Sequence, residues 1–183
     1  MMGLTHLYKK ESINSMTAQT KDFFYFKGVS YYLVGVNPRD KFFLIQELGI
    51  YPKAASTANW RGYVATFTVT EDKLFLKELI TNNGGNEKVS PVMLNGVLPL
   101  VNRPENVSGS AKWQQWHYSD IDLFIPYTGK VLITDKYNNY GHTAFYEPRD
   151  YFGNMIELRF IDGHFTGEDV QRNESHSLRQ RFL

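Results

Sequence analysis

The stretch DFFYFKGVSYYLV, residues 22–34, decides the fold class of this chain. Two runs rich in aromatic residues flank the dipeptide Lys27-Gly28. Aromatic and β-branched residues favour strands, and glycine supplies the positive φ angle that a tight turn requires. The stretch therefore predicts an antiparallel β-hairpin.

Further short strands are predicted after the hairpin, separated by turn signals at intervals of roughly 8–12 residues. In the clearest of them, residues 63–70, the side chains Tyr63, Ala65, Phe67 and Val69 alternate with the rest. The other candidates are residues 73–80, 92–94, 97–98, 121–125, 130–134, 143–146 and 155–161. Because strands and helices do not alternate, we predict a mostly β fold, an antiparallel sandwich or open barrel of about seven to nine strands.

One short helix is predicted near residues 38–48. Asn37 and Pro38 are typical of an N-cap followed by the first helical position, and Gly49 is placed to end the helix. Its apolar side chains recur at helical spacing, at Phe42, Ile45 and Leu48.

A chain of 183 residues is long enough for one hydrophobic core, and it contains no repeat or linker-like tract. We therefore predict a single β-rich domain at residues 22–163. Polar tails are expected at residues 1–21 and 164–183.

Composition narrows the function classes. The 20 basic and 19 acidic side chains leave a net charge of +1, and no basic run exceeds Lys9-Lys10, so nucleic acid is not the expected partner. The absence of cysteine excludes disulfides, thiolate metal sites and cysteine nucleophiles. No apolar stretch approaches the ~20 residues of a spanning helix, and the first residues lack a signal sequence. We therefore expect a cytoplasmic protein that does not bind membranes.

The first candidate site contains Trp60, Arg61 and Tyr63. By strand parity Arg61 heads the apolar face of residues 63–69, where an unpaired charge would cost several kcal/mol. Its guanidinium would bind an anion beside the Trp60 ring, or, as we favour, tie two strands together. We expect a salt bridge to Glu147, with Asp120 as the substitute partner.

The second candidate site surrounds His117. In an extended chain, one face would carry Trp116, Tyr118, Asp120, Asp122 and Phe124. Aromatic rings and carboxylates on a solvated face would bind a sugar ring or a partner protein. The alternative, which we favour, is an ordinary outer strand face.

The third candidate site comprises Tyr140, His142, Tyr146 and Glu147. With His117 it would supply a general base or a metal ligand if distant strands converged. None of the five histidines has the spacing of a known zinc motif. We therefore predict no catalytic residue, no metal site and no cofactor.

A sequence motif supports a family resemblance. Residues 57–66, with Trp60-Arg61-Gly62-Tyr63 at their centre, and residues 73–76 resemble a group of uncharacterised bacterial proteins. That group also carries a later tryptophan strand, an Ile-Pro-x-x-Gly segment and a tyrosine–glutamate pair. The matching positions are Trp116, residues 125–129 and Tyr146-Glu147. The resemblance spans residues 23–163 apart from the loop 81–111, and it implies a soluble bacterial protein without supplying a mechanism.

Three functions remain open from the sequence. Small size, near-neutral charge and 15 % aromatic residues favour a protein-interaction module of the immunity or antitoxin type. The first alternative is a small-molecule or carbohydrate-binding β domain with Trp60, Trp116 and Tyr140 as ring platforms. The second is a hydrolase assembled from His117, Asp120, His142 and Glu147, although we lean against catalysis.

A homodimer is also expected. The hairpin at residues 22–34 would present flat aromatic edges, and an isolated domain needs to cover such edges.

Overall fold

The computed structural model describes residues 19–82, 90–102, 115–137 and 153–171. Within these ranges the chain forms ten strands and two 3-10 helical turns. The strands are β1 (Asp22–Phe26), β2 (Val29–Asn37), β3 (Tyr63–Thr70), β4 (Lys73–Asn82), β5 (Leu100–Asn102), β6 (Gln115–Tyr118), β7 (Leu123–Phe124), β8 (Gly129–Thr134), β9 (Met155–Ile161) and β10 (His164–Gln171). The predicted mostly β fold is confirmed.

The predicted hairpin is formed by β1 and β2. Phe26 lies opposite Val29, and the turn residues Lys27 and Gly28 have φ angles of 50° and 79°. On its other sides β1 pairs in parallel with β3, and β2 pairs with β8. Both edges of the hairpin are thus occupied, which removes the reason given for a homodimer; the homodimer itself stays a prediction.

Seven strands close into a barrel. The order is β4, β3, β1, β2, β8, β9 and β10, and β10 returns to β4 where His164 lies opposite Lys73. The pairing of β1 with β3 is parallel, and the other pairings are antiparallel. Strands β6 and β7 pair with β4, and β5 extends the sheet beyond β6. The barrel is therefore closed around its core but has an extension with an edge strand.

The barrel interior is filled by side chains that alternate along the strands. Fully buried examples from five strands are Phe24, Phe67, Leu76, Val131 and Leu158. Burial of such apolar surface is the main stabilising contribution to a barrel of this size.

The predicted helical segment lies where expected, as the two 3-10 turns Arg39–Lys41 and Ile45–Leu48. Gly49 ends the second turn with a φ of 72°. Between the turns the Phe42 ring packs on the core, 4.7 Å from the ring of Phe67 and 5.0 Å from that of Tyr127. The segment therefore contributes to the core chiefly through aromatic contacts.

Two predicted segments need correction, and two others lie wholly or largely outside the described residues. The tail predicted from residue 164 is wrong over His164–Gln171, because these residues form β10. Its exposed residues include His164, Thr166 and Asp169, so the sequence reads as polar. The strand predicted at residues 121–125 shortens to β7, since Asp120 and Asp122 have positive φ angles of 50° and 46°. The strand predicted at residues 143–146 and most of the N-terminal tail lie outside the described residues.

No helix among the described residues is long and apolar enough to cross a membrane.

Candidate functional site

Arg61 forms a bidentate ion pair with Asp22. Its Nη1 donates to Asp22 Oδ2 at 2.6 Å and its Nη2 to Oδ1 at 3.0 Å. Nη2 also donates to the Thr20 carbonyl at 3.1 Å, and Asp22 Oδ1 accepts the Ala65 amide at 2.9 Å. Parallel pairing of β1 with β3 places both charged residues at the same end of the barrel. The ion pair therefore ties the two strands together.

The predicted partners of Arg61 need correction. Glu147 lies outside the described residues, and the carboxylate that Arg61 binds is that of Asp22. Asp120 as the substitute is wrong, because its side chain is 79 % exposed and lies 3.6 Å from Lys77 Nζ. With its charge balanced by Asp22, the guanidinium favours the strand-tying role over anion binding.

Tyr63 and Gly62 lie beside the ion pair at the same end of the barrel. The Arg61 guanidinium carbon lies 4.7 Å from the centroid of the Tyr63 ring, a cation–π contact, and burial raises the pKa of Tyr63. A Cβ on Gly62 would lie 2.1 Å from the Lys53 carbonyl oxygen, and its φ is 71°. Only glycine fits there.

Trp60 points away from the core, with 63 % of its surface exposed. Its amide donates to Gln19 Oε1 at 3.1 Å. The ring remains available for contact with a ligand or a partner.

Trp116 and Tyr118 belong to the core. They are 1 % and 0 % exposed, whereas Asp120 and Asp122 are exposed, so the predicted shared solvated face is wrong. The strand β6 ends at Tyr118, and the positive φ angles that follow break the alternation. Trp116 therefore cannot serve as a surface platform for a ligand.

His117 points to the outer face of the sheet and binds Glu78. Its Nε2 lies 2.5 Å from Glu78 Oε1, and Thr66 Oγ1 donates to Glu78 Oε2 at 3.3 Å. Both members of the pair are partly exposed. The contact with Glu78 fixes the ring orientation of His117.

His117 lies in a row of four paired residues that crosses four strands, and the other three residues are apolar. Leu100 lies opposite His117, His117 opposite Ile80, and Ile80 opposite Val64. Val64 and Ile80 are half-buried without belonging to the core, and Leu100 is 69 % exposed.

The remaining predicted site residues, Tyr140, His142, Tyr146 and Glu147, lie outside the described residues. In the described ranges, no three histidine or carboxylate side chains are grouped so that they would hold a metal ion. A catalytic site would need His117 and His142 to lie close together, and His142 lies outside the described residues.

Sequence reasoning missed Asp22 and Glu78. Asp22 had a readable signal, because it precedes Phe24 and Phe26 at a spacing of two and so heads a buried strand face, as Arg61 does. Glu78 had none, since its meeting with His117 depends on the pairing of β4 with β6.

Comparisons of the chain with protein-family models, with curated proteins and with solved structures find no match. The resemblance of residues 57–66 to a bacterial group therefore stays a prediction.

The phenol of Tyr118 provides a test of the packing beneath His117. Its hydroxyl donates to the Val92 carbonyl at 2.9 Å, and burial raises its pKa to about 12. In the unfolded chain this pKa is about 10. Between these values the unfolded state loses a proton that the folded state keeps, so stability falls as the pH rises, by about 1 kcal/mol at pH 11. Urea unfolding measured from about pH 8 to pH 11 should show this fall.

Tyr118→Phe should reduce the alkaline loss by that amount. Tyr51→Phe is the matched control, because it removes a phenol that is 69 % exposed. Equal pH slopes for Tyr118→Phe and the unmodified protein would contradict the assignment.

Proposed function

We propose that this protein is a protein-interaction module that binds an extended, basic and partly apolar segment of a partner protein along β5. The observation that carries the proposal is the apolar edge of β5. Leu100 is 69 % exposed and Val101 is 40 % exposed, and among the described strands β5 pairs with β6 alone. Edge strands are usually protected by charged residues or bulges, and an unprotected one accepts a further strand.

The chain just before β5 enlarges this apolar surface. Met93 and Leu98, 58 % and 61 % exposed, flank a turn in which Leu94 pairs with Val97. Exposed apolar residues concentrated in one segment are typical of an interaction site. They would receive the apolar side chains of the partner segment.

The charge next to this surface favours a basic partner. Asn95 Nδ2 donates to the carbonyls of Ile121 at 2.8 Å and Asp122 at 3.1 Å, which fastens the loop at residues 119–122 to the turn. Asp120 and Asp122 in that loop are exposed. Lys77 lies 3.6 Å from Asp120, which leaves a net negative charge for lysine or arginine side chains of the partner.

In this proposal the protein is an interaction module of the immunity or antitoxin type that acts in the cytoplasm. Small size and near-neutral charge support it. In this form the partner is a toxin domain that presents a basic segment, and its gene is expected beside the gene of this protein.

The experiment is affinity purification from native lysate followed by reconstitution with the purified partner. Leu100→Glu should weaken the measured affinity at least about 30-fold, the effect of losing an interface hot spot of about 2 kcal/mol. Asp120→Asn combined with Asp122→Asn should weaken binding and reduce its salt dependence. Ile161→Glu is the control, because Ile161 is 58 % exposed at the end of β9, which does not pair with β5 or β6.

The proposal fails if the purified partner binds Leu100→Glu as tightly as Ile161→Glu. It also fails if no captured protein binds the purified chain directly.

A further inference from the structure

We infer that the end of the barrel beside β8 and β9 binds a single neutral polyhydroxylated ring, such as a monosaccharide. The site is a groove of about 280 Å³ lined by Tyr31, Asp135, Asn154, Ile156 and Val170, which we call the mouth groove. Ligand sites commonly occupy the mouths of β-barrels, and this volume lies near the lower limit of their usual size, roughly 300 Å³. It suits one ring rather than a chain.

The floor of the mouth groove is an extension of the barrel interior. Ile156 lies opposite the buried Ile133, and Val170 lies opposite Ile156. Tyr31 lies opposite Phe24, which is fully buried. Residues opposite each other in a sheet share a face, so these side chains continue the inner face towards this end of the barrel.

Asp135 and Asn154 form the polar wall of the mouth groove, and hydrogen bonds hold them in place. Asn154 Nδ2 lies 3.5 Å from Asp135 Oδ2, and Thr134 Oγ1 donates to the Asn154 carbonyl at 3.0 Å. A Cβ on Gly153 would lie 2.1 Å from Asp135 Oδ1, so glycine is required for the carboxylate to occupy its position. The carboxylate and the amide are therefore presented side by side.

This combination matches the chemistry of a sugar ring. The C–H face of such a ring packs on aromatic and aliphatic side chains, and its hydroxyls donate to a carboxylate and exchange hydrogen bonds with an amide. The described residues that line the groove include no lysine or arginine, and the Asp135 charge repels anions. A neutral ring is the ligand that satisfies the apolar floor and the polar wall together.

The test is calorimetric titration of the full chain with glucose, galactose, mannose and N-acetylglucosamine, with glucosamine as the cationic comparison. At least one neutral sugar should bind with a Kd of roughly 0.1–10 mM. Asp135→Asn should weaken that binding at least about 10-fold, as the loss of a charge-assisted hydrogen bond does. Asp169→Asn is the control, because Asp169 is an exposed carboxylate on β10 next to Val170.

Gly153→Ala tests the positioning of Asp135 independently. It should weaken sugar binding while the circular dichroism spectrum stays unchanged, and Leu100→Glu should bind sugar normally. The inference is overturned if no neutral sugar saturates, if only glucosamine binds, or if Asp135→Asn binds as the unmodified protein does. None of these results bears on the protein interaction at β5.

Discussion

Asp22→Ala is expected to lower the free energy of unfolding by about 3 kcal/mol, the lower end of the 3–5 kcal/mol that follows from breaking a buried ion pair. The Asp22 side chain is only 9 % exposed, and it accepts two hydrogen bonds from Arg61 and one from the Ala65 amide. Its removal leaves the Ala65 amide without its acceptor and the guanidinium without the carboxylate that balances its charge. Because 34 % of the Arg61 side chain is exposed, solvent screens part of the loss.

Urea unfolding at neutral pH measures this effect, with Asp169→Ala as the control. The exposed carboxylate of Asp169 should change stability by no more than about 0.5 kcal/mol. Arg61→Met in the Asp22→Ala background should recover part of the loss, because the unpaired charge is then absent. A loss below about 1 kcal/mol for Asp22→Ala would show that the ion pair does not hold β1 to β3.

Phe42→Ala is expected to cost about 3–5 kcal/mol of unfolding free energy. The ring is 6 % exposed and packs 4.7 Å from the ring of Phe67 and 5.0 Å from that of Tyr127. Both of those residues are fully buried and closely packed, so their side chains can fill the space only in part. The loss combines the transfer of the ring to water with a cavity beside the barrel core.

Leu44→Ala in the same segment is the matched control. Leu44 is 42 % exposed, and its truncation should cost less than about 1 kcal/mol. Similar losses for the two variants, measured by urea unfolding, would mean that the segment stabilises the barrel through its backbone and not through the Phe42 ring.

Local pattern predicted much of the fold. The hairpin at residues 22–34 and the strands over residues 63–70 and 130–134 appear in the structure, whereas the strands predicted at residues 92–94 and 97–98 reduce to the single pair of Leu94 with Val97. Turn chemistry and strand alternation act between near neighbours, so one sequence carries them. The strand β10 escaped prediction because its outward side chains are polar and only its pairing with β9 shows that it belongs to the barrel.

The candidate sites divide in the same way. The sequence by itself determined that Arg61 heads an apolar strand face and needs a carboxylate, because an unpaired charge there is costly. Only the tertiary structure decided that the carboxylate is Asp22, 39 positions away, since the parallel pairing of β1 with β3 brings the two strand ends together. The burial of Trp116, the contact of His117 with Glu78 and the mouth groove were likewise decided by strand pairing. Pairing between distant strands depends on the free energy of the whole barrel, which no local stretch of sequence contains.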